Sequence, residues 1–442
     1  MSLREEIWDE VLPLVQDYRL NVEENDDEPL AVAEGCRDLA DGAIRSRLAR
    51  ELNTTGRVLS DDDLRWLQEE MAGLLGAGPL QRFLERNDVE NIYCFGPELV
   101  MLGLSGGRQE LVGEPVFGDE EDMVRYVAHL ATTHGQTGRR FDQSSPLLDL
   151  RLRTGERVFA AMEVCGAPFL TVRCHRHRDV RLDDLVESGS LSEQAAEFLR
   201  AAVRPPGPAN ILVCGALGAG KTTLLRALLA EVGPSEVVCT LEQTFELFLD
   251  QSHPLTFAVE TREANSDGSG EISMEELAKR SLRSGADRVI VGELRGSEAA
   301  TFLSACGTGS DGSMATIHAS SPRQALSRLV RYCLAAGGAG IQSALVQEVA
   351  EVIHLVVHLR GDPRTGFRGV NSIAEVSCAD GERFETHEIF GRTSRNAPLM
   401  LRSQPRNPEV IDRILEGGLD TSRWPPEGLL DSVQRARDLV AP

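Results

Sequence analysis

Apolar positions recur along the chain with two different periods, which predicts a mixture of helices and strands. Near the N-terminus, apolar side chains recur at helical spacing from Ile7 to Tyr18, and a strongly acidic, solvated segment follows them. A second helical pattern begins at Asp61 and leads through a glycine–proline turn into the apolar run at 89–95. We interpret residues 1–60 as an acidic helical N-terminal region and assign no chemistry to it.

Residues 61–180 have the pattern of a small mixed domain. Helical spacing at 120–133 lies between the apolar run at 89–95 and a stretch at 147–171 in which apolar and polar residues alternate. Alternation with period two is typical of strands that bury one face, so these patterns predict a compact α+β N-terminal domain.

A second, larger domain is predicted at 209–391, after an amphipathic helical linker at 181–208 that ends in Arg204-Pro205-Pro206-Gly207-Pro208. Apolar strands alternate with helical stretches throughout it, which predicts an α/β fold with a mainly parallel sheet. The C-terminal tail, residues 392–442, is rich in Arg, Pro, Gly and Ser, so we expect loose packing with one short helix at 409–415. Strands are predicted at 236–241, 255–261, 288–293, 313–317, 352–359 and 370–376, and helices at 274–283, 298–306 and 323–334.

A glycine-rich stretch at 215–222 follows the first apolar strand of this domain and precedes a helix-forming run. Glycines adopt backbone angles closed to other residues, which lets successive N–H groups surround phosphate oxygens. Lys221 is expected to reach the β/γ-phosphates, and the hydroxyl of Thr222 to bind Mg²⁺. The stretch therefore matches the Walker A pattern and predicts ATP and Mg²⁺ as ligands. The candidate phosphate-binding residues in the loop are Gly215, Gly218, Ala219, Gly220, Lys221, Thr222 and Thr223.

Acidic residues end two of the predicted strands, where an ATPase needs a carboxylate to hold Mg²⁺ or to polarise water. Glu293 ends an almost wholly apolar strand and is the candidate metal and catalytic acid. Glu242 ends another strand, with Glu246 one turn later, and either is a candidate general base. His318 follows a further strand and is a candidate γ-phosphate sensor, with a buried structural histidine as the alternative.

Hydrolysis of a phosphoanhydride also needs positive charge near the γ-phosphate. Arg157, Arg173 and Arg262 are the candidates, and each has a surface ion pair as its alternative. Calcium is disfavoured because Asn265 replaces the first aspartate of an EF-hand loop. Zinc is disfavoured because the cysteine and histidine spacing around Cys174 matches no standard site.

The composition narrows the class of protein. The formal net charge of −23 over 442 residues argues against sequence-independent nucleic-acid binding, although a local basic groove is compatible with it. No apolar run approaches the roughly 20 residues of a membrane span, so we expect a soluble, cytoplasmic protein. The nine cysteines include no C-x-x-C pair, which favours reduced thiols.

Taken together, five segments resemble the boxes of the type II/type IV secretion ATPase superfamily. They occur in the order 215–222, 241–247, 291–296, 308–312 and 316–319. The fold implied by the resemblance is a C-terminal RecA-like P-loop NTPase domain preceded by a smaller N-terminal domain. The implied active form is a homo-hexamer with nucleotide in the cleft between the two domains.

Within this superfamily the chain looks most like the CpaF-type ATPases of tight-adherence (Tad/Flp) pili, because of the segments 76–80, 154–158, 171–173 and 261–265. The resemblance implies ATP hydrolysis that drives pilus assembly or secretion through an integral membrane platform protein, with the chain attached to the inner face of the membrane by its partners. By family position, Glu293 is the Walker B acid, Glu242 and Glu246 belong to the aspartate box, Ser310 and His318 to the histidine box, and Arg157, Arg173 and Arg262 are arginines near the nucleotide.

Three residues depart from the family pattern: Leu217 replaces a threonine, Gln243 an aspartate, and Ser310 the first histidine of its box. Because Lys221 and Glu293 are both in place, we expect a working but slow ATPase. The alternatives are a nucleotide-binding scaffold or regulator with little hydrolysis, and a DNA-translocating relative, which the net charge disfavours.

Overall fold

The chain folds into two compact units. The first comprises Met1–Ser105 and Gln109–Cys174, and the second comprises Gly106–Arg108 and His175–Pro442. The computed structural model describes residues 3, 6–7, 10–11, 13–14, 29–55, 57, 59–60, 63, 78–134, 140–152, 154–174, 179–262, 264, 269–337, 342–361, 367–379, 383–394, 397–421 and 424. Within these ranges, no helix is both long enough and apolar enough to cross a membrane.

In the described part of the chain, the first unit contains a six-stranded antiparallel sheet and three helices described over their whole length, and residues 3, 6–7, 10–11 and 13–14 are also helical. Its helices are α1 (Pro29–Thr54), α2 (Gln81–Leu84) and α3 (Glu120–His134), and its strands are β1 (Val89–Phe95), β2 (Leu99–Leu104), β3 (Gln109–Leu111), β4 (Leu147–Arg151), β5 (Arg157–Ala161) and β6 (Phe169–Arg173). The strand order is β3-β2-β1-β6-β5-β4. Alternate residues such as Leu170 and Val172 are buried and form one core with Met123 and Val127 of α3.

The predicted α+β arrangement of this region is confirmed. The helix predicted at 120–133 is α3, and the alternating stretch at 147–171 forms the strands β4, β5 and β6. The helical pattern that begins at Asp61 falls on residues 64–77, which lie outside the described residues.

The second unit is a nine-stranded sheet with helices. Its helices are α4 (Leu182–Glu187), α5 (Glu193–Val203), α6 (Lys221–Leu229), α7 (Met274–Ser281), α8 (Glu298–Gly307), α9 (Pro322–Ala335), α10 (Gln342–Val352) and α11 (Pro408–Glu416). Its strands are β7 (Ile211–Gly215), β8 (Val238–Glu242), β9 (Thr256–Glu260), β10 (Arg288–Leu294), β11 (Met314–His318), β12 (Leu355–Gly361), β13 (Arg368–Ala379), β14 (Arg383–Gly391) and β15 (Met400–Leu401). The sheet order is β15-β14-β13-β12-β7-β11-β10-β8-β9.

Six neighbouring strands, from β12 to β9 in this order, pair in parallel, and β13 to β15 extend the sheet antiparallel. The predicted α/β class with a mainly parallel sheet is confirmed. The central strand β7 is buried along its whole length, with Ile211 and Val213 in one core and Leu212 and Cys214 in another. Burial on both faces explains why this strand is a continuous apolar run instead of an alternating one.

Two elements differ from the pattern-based prediction. The helical linker predicted at 181–208 contains two helices, α4 and α5, because Ser192 caps a new helix by accepting a hydrogen bond from the Ala195 backbone N–H. The strand predicted at 352–359 begins at Leu355, because helix α10, which the pattern did not reveal, extends to Val352.

The expectation that the C-terminal tail packs loosely is wrong for the part that the structure describes. Strand β15 pairs with β14, and helix α11 contacts α5. On α11, Val410 and Ile414 are buried in the core of the second unit. Trp424 is also buried there, with its ring centroid 5.8 Å from those of Phe198 and Phe390. Burial of these apolar side chains stabilises the packed conformation, although the composition of the segment is typical of loops.

Replacement of Trp424 with alanine is expected to lower the free energy of unfolding by about 3–5 kcal/mol, because it leaves a cavity between Phe198 and Phe390. Urea-induced unfolding followed by circular dichroism measures the effect. Met400→Ala, at an exposed position of β15, is the control and should change stability by about 0.5 kcal/mol or less. Equal effects of the two substitutions would contradict a packed tail.

Candidate nucleotide-binding site

The glycine-rich loop connects β7 to α6 at the carboxyl end of the central parallel strand. Gly215 has no room for a side chain, since an added Cβ would lie 2.8 Å from the carbonyl oxygen of Leu359. Gly218 and Gly220 have φ angles of +70° and +94°, which favour glycine. Gly220 is the N-cap of α6, so the unpaired N–H groups at the start of the helix border the loop. The loop therefore has the conformation of an anion-binding strand–loop–helix.

Lys221 is buried at the first position of α6, and its ammonium group points back to the loop. Its Nζ donates to the carbonyl oxygens of Ala216, at 3.1 Å, and Gly215, at 3.4 Å. The same Nζ lies 3.2 Å from Nδ1 of His318, at the end of β11. Phosphate oxygens that reach the loop would meet a positive charge already fixed in position.

His318 connects Lys221 to Glu293 across the ends of β11 and β10. Because Lys221 donates to Nδ1, the imidazole carries its proton on Nε2, which lies 2.6 Å from Oε1 of Glu293. Partial burial, and after it the charge of Lys221, lower the pKa of His318 below its ordinary value, so the ring is neutral at pH 7. The structure thus brings these three predicted site residues into one chain of contacts.

Arg295 is a site residue that the pattern-based prediction missed. Its guanidinium contacts Oε2 of Glu293 through Nε, at 2.9 Å, and through Nη2, at 2.5 Å. Its Nη1 donates to Oε1 of Gln243, at 2.6 Å. The signal in the sequence is the spacing, because residues two apart in an extended strand point to the same side.

Glu242 organises the segment after β8 and is almost completely buried. Its Oε2 accepts hydrogen bonds from the backbone N–H groups of Glu246, at 2.7 Å, and Leu247, at 2.8 Å. Burial raises the pKa of Glu242 to about 7. The carboxyl group that was predicted as a general base is thus occupied in holding the backbone.

Glu246, by contrast, lies beside the glycine-rich loop. Its Oε2 is 3.4 Å from Oγ1 of Thr222, and its carbonyl oxygen accepts a hydrogen bond from Nε of Arg226, at 2.6 Å. A hydroxyl and two carboxylates, from Thr222, Glu246 and Glu293, are the kind of oxygen ligands that Mg²⁺ prefers. The residues present therefore fit a nucleotide-bound Mg²⁺ held by Thr222 and Glu293. In the parts of the chain that are described, no group of three or more His, Cys, Asp or Glu side chains is placed to hold a metal ion alone.

The remaining candidates lie in three places. Thr223 is half-buried on α6. Arg262 follows β9, pairs with Ile272 through its backbone and donates from Nε to the carbonyl oxygen of Gly270. Arg157 and Arg173 are in the first unit, directly opposite each other on β5 and β6.

Ser310 lies away from the loop within the second unit. Its Oγ donates to the carbonyl oxygen of Ala286, at 3.3 Å, and it precedes the amino end of β11. His318 ends the same strand beside Lys221, and five residues of strand span about 16 Å. Within this unit Ser310 and His318 therefore lie near opposite ends of β11, and the effect of Ser310 on turnover stays a prediction.

The free energy of unfolding is expected to fall as the pH rises from 4.5 to 7, because the folded chain holds the Glu242 proton more tightly than the unfolded chain. This stabilisation is complete well below pH 4.5, the ordinary pKa, and is lost above pH 7, with a total of about 3 kcal/mol. Glu242→Gln keeps an acceptor oxygen but cannot titrate, so it should remove this part of the slope. Urea unfolding at a series of pH values measures it, and equal slopes for both proteins would contradict the assignment.

Comparison with known proteins gives a family and several relatives. The family model described as "Type II/IV secretion system protein" matches residues 140–397. A putative conjugal transfer protein of Mycobacterium tuberculosis is 32% identical over 328 residues, which are 72% of this chain and 89% of that protein. A probable conjugal transfer protein, TrbB, of Sinorhizobium fredii is 31% identical over 278 residues, which are 62% of this chain and 78% of that protein. The X-ray structure of the ATPase DotB of Legionella pneumophila aligns with a TM-score of 0.47 at 17% identity, over 82% of this chain and 86% of that chain.

Proposed function

This chain belongs to the type II/IV secretion system protein family, and we propose that within it the chain acts as an ATPase that powers a secretion or pilus-assembly machine. The observation that carries the proposal is the contact chain from Lys221 through His318 to Glu293, which joins a phosphate-binding lysine to a carboxylate at the same edge of a parallel sheet. Open parallel sheets bind ligands at this edge.

The proposed mechanism assigns one task to each side chain. The loop N–H groups and Lys221 bind and orient the phosphates of ATP, while Thr222 and Glu293 would hold the Mg²⁺, whose charge would offset that of the phosphates. His318 senses the γ-phosphate, because binding of phosphate to Lys221 competes directly with the contact between Nζ and Nδ1. Arg157, Arg173 and Arg262 supply positive charge for the reaction. Glu246 is the better-placed candidate to orient water, since Glu242 is engaged with the backbone.

The finer proposal is a homo-hexamer of the CpaF type that works on a Tad/Flp pilus or secretion system. In it the chain is cytoplasmic, and an integral membrane platform protein attaches it to the inner face of the membrane. Support comes from the order of the five boxes and from segments such as 76–80 and 261–265. Analytical ultracentrifugation with ATP tests the hexamer, and copurification with the platform protein tests the partner.

A second candidate is a role in conjugal transfer, which the descriptions of the two relatives favour. The net charge of −23 argues against contact with DNA as a substrate of the motor itself. ATP turnover that rises with added DNA and falls with salt would favour this candidate over the pilus motor.

The deciding experiment is ATP turnover by the purified full-length chain, combined with lysine-directed acylation. Lys221 and Lys279 are the two lysines in the sequence, and Lys279 is exposed on α7, where it pairs with Glu275. ATP should protect Lys221 and leave Lys279 reactive. Protection with turnover supports the motor, protection without turnover indicates the nucleotide-binding scaffold, and absence of both contradicts the proposed function.

A further inference from the structure

The guanidinium group of Arg295 lies between two side chains from neighbouring strands. On one side it makes two contacts with the carboxylate of Glu293, at 2.5 and 2.9 Å. On the other side its Nη1 donates to the amide oxygen of Gln243, at 2.6 Å. Both ends of an Arg–carboxylate pair lose side-chain freedom in such an arrangement, so Glu293 is held in one orientation.

The backbone at both ends of this arrangement is fixed independently of the guanidinium. The N–H groups of Arg295 and Gly296 both donate to Oε1 of the buried Glu298, at 2.5 and 2.8 Å. The carbonyl oxygen of Gln243 accepts a hydrogen bond from Oγ1 of Thr261, at 2.9 Å. The backbone from which each side chain extends is therefore anchored, while the Arg295 side chain itself is more than half exposed.

We propose that Arg295 is a positioning residue for Glu293 and that the neutral side chain of Gln243 sets how strongly Arg295 binds the carboxylate. This inference rests on the proposed ATPase function and adds to it a residue that controls the metal-binding carboxylate. The amide of Gln243 accepts a hydrogen bond from the guanidinium but carries no charge, so it does not compete with Glu293 for the positive charge of Arg295. A carboxylate at the same atom would share the guanidinium with Glu293 and weaken the hold on it.

The chain offers isosteric variants that separate charge from shape. Gln243→Glu places a negative charge at the atom that now accepts from Nη1, whereas Gln243→Leu removes the acceptor without adding charge. Arg295→Gln removes the positive charge, and Arg295→Lys keeps the charge without the two-pronged geometry. Gln347→Glu, on the exposed surface of α10, adds the same charge at a remote site and is the control.

The readout is the dependence of ATP turnover on Mg²⁺ concentration. For Gln243→Glu and Arg295→Gln we expect half-saturation at roughly three- to tenfold less Mg²⁺, because each makes the surroundings of Glu293 more negative by one charge. For Arg295→Gln, kcat should also fall about tenfold, since Glu293 loses its fixed orientation, and Arg295→Lys should recover part of that loss. Gln243→Leu and Gln347→Glu should leave half-saturation within about twofold of the wild type.

A merely structural role for Arg295 would lower the melting temperature without moving the Mg²⁺ dependence, and that result would overturn the proposal. A second measurement needs no nucleotide. In thermal unfolding, the effects of Arg295→Gln and Glu293→Gln should be non-additive by about 1–3 °C, as for a partly exposed ion pair. Additive effects would overturn the contact even if the wild type hydrolyses no ATP. Non-additive effects in a protein that neither hydrolyses ATP nor shows protection of Lys221 by ATP would contradict the proposed function, but they would support the pairing of Arg295 with Glu293.

Discussion

Replacement of Lys221 with alanine is expected to lower ATP turnover by about 10³-fold and to weaken ATP binding, because no other ammonium group faces the loop among the described residues. The variant removes a buried positive charge that is fixed by two loop carbonyl oxygens and by His318. A coupled phosphate-release assay measures turnover, and equilibrium binding of a fluorescent ATP analogue measures affinity.

Two further measurements separate a lost charge from a damaged fold. Lys279→Ala, at the exposed lysine of α7, should leave turnover within about twofold of the wild type. In Lys221→Ala the pKa of His318 should rise toward its ordinary value, because the charge of Lys221 contributes to lowering it. Wild-type turnover in Lys221→Ala would exclude the proposed mechanism.

The position of the loop was predictable from local sequence, because Gly218 and Gly220 meet a local requirement, a positive φ. The further need for glycine at 215, where Leu359 of β12 approaches, comes from a distant strand. The strand before the loop is a continuous apolar run, which predicted its central place in a parallel sheet. The position of Glu293 near the carboxyl end of a buried strand was also predictable, and its role as the metal-binding acid stays a proposal.

The partners of the site residues were not predictable, because they come from distant parts of the chain. Glu242 was one of two candidate general bases, with Glu246, because of its place at the end of a strand. Its Oε2 accepts hydrogen bonds from backbone N–H groups whose direction depends on the path of the following segment, which the pattern did not reveal. The pairing of Arg295 with Gln243 requires β8 and β10 to be neighbours. Neighbour relations in a parallel sheet depend on crossover connections that residue patterns do not reveal.

The C-terminal tail shows a different reason for failure. Its composition, rich in Arg, Pro, Gly and Ser, is typical of loops. The helix α11 nevertheless carries Val410, Ile411 and Ile414 at helical spacing, and these side chains are buried. Trp424 packs against Phe198 and Phe390, which come from distant parts of the chain, so the composition of the tail did not reveal this contact.

Glu293→Gln is expected to lower kcat by about 10²–10³-fold while ATP still protects Lys221 from acylation, because the substitution removes the charge at the metal site but leaves the loop intact. The amide keeps the size of the side chain, yet it offers Arg295 no ion pair and gives His318 a neutral neighbour. Glu348→Gln, on the exposed surface of α10, is the matched control and should hydrolyse ATP at the wild-type rate. Turnover assays and mass spectrometry of the acylated lysines measure both effects. If both the protection of Lys221 and the turnover are lost, Glu293 is needed to bind nucleotide. If turnover is unchanged, the catalytic carboxylate is instead that of Glu246, beside Thr222.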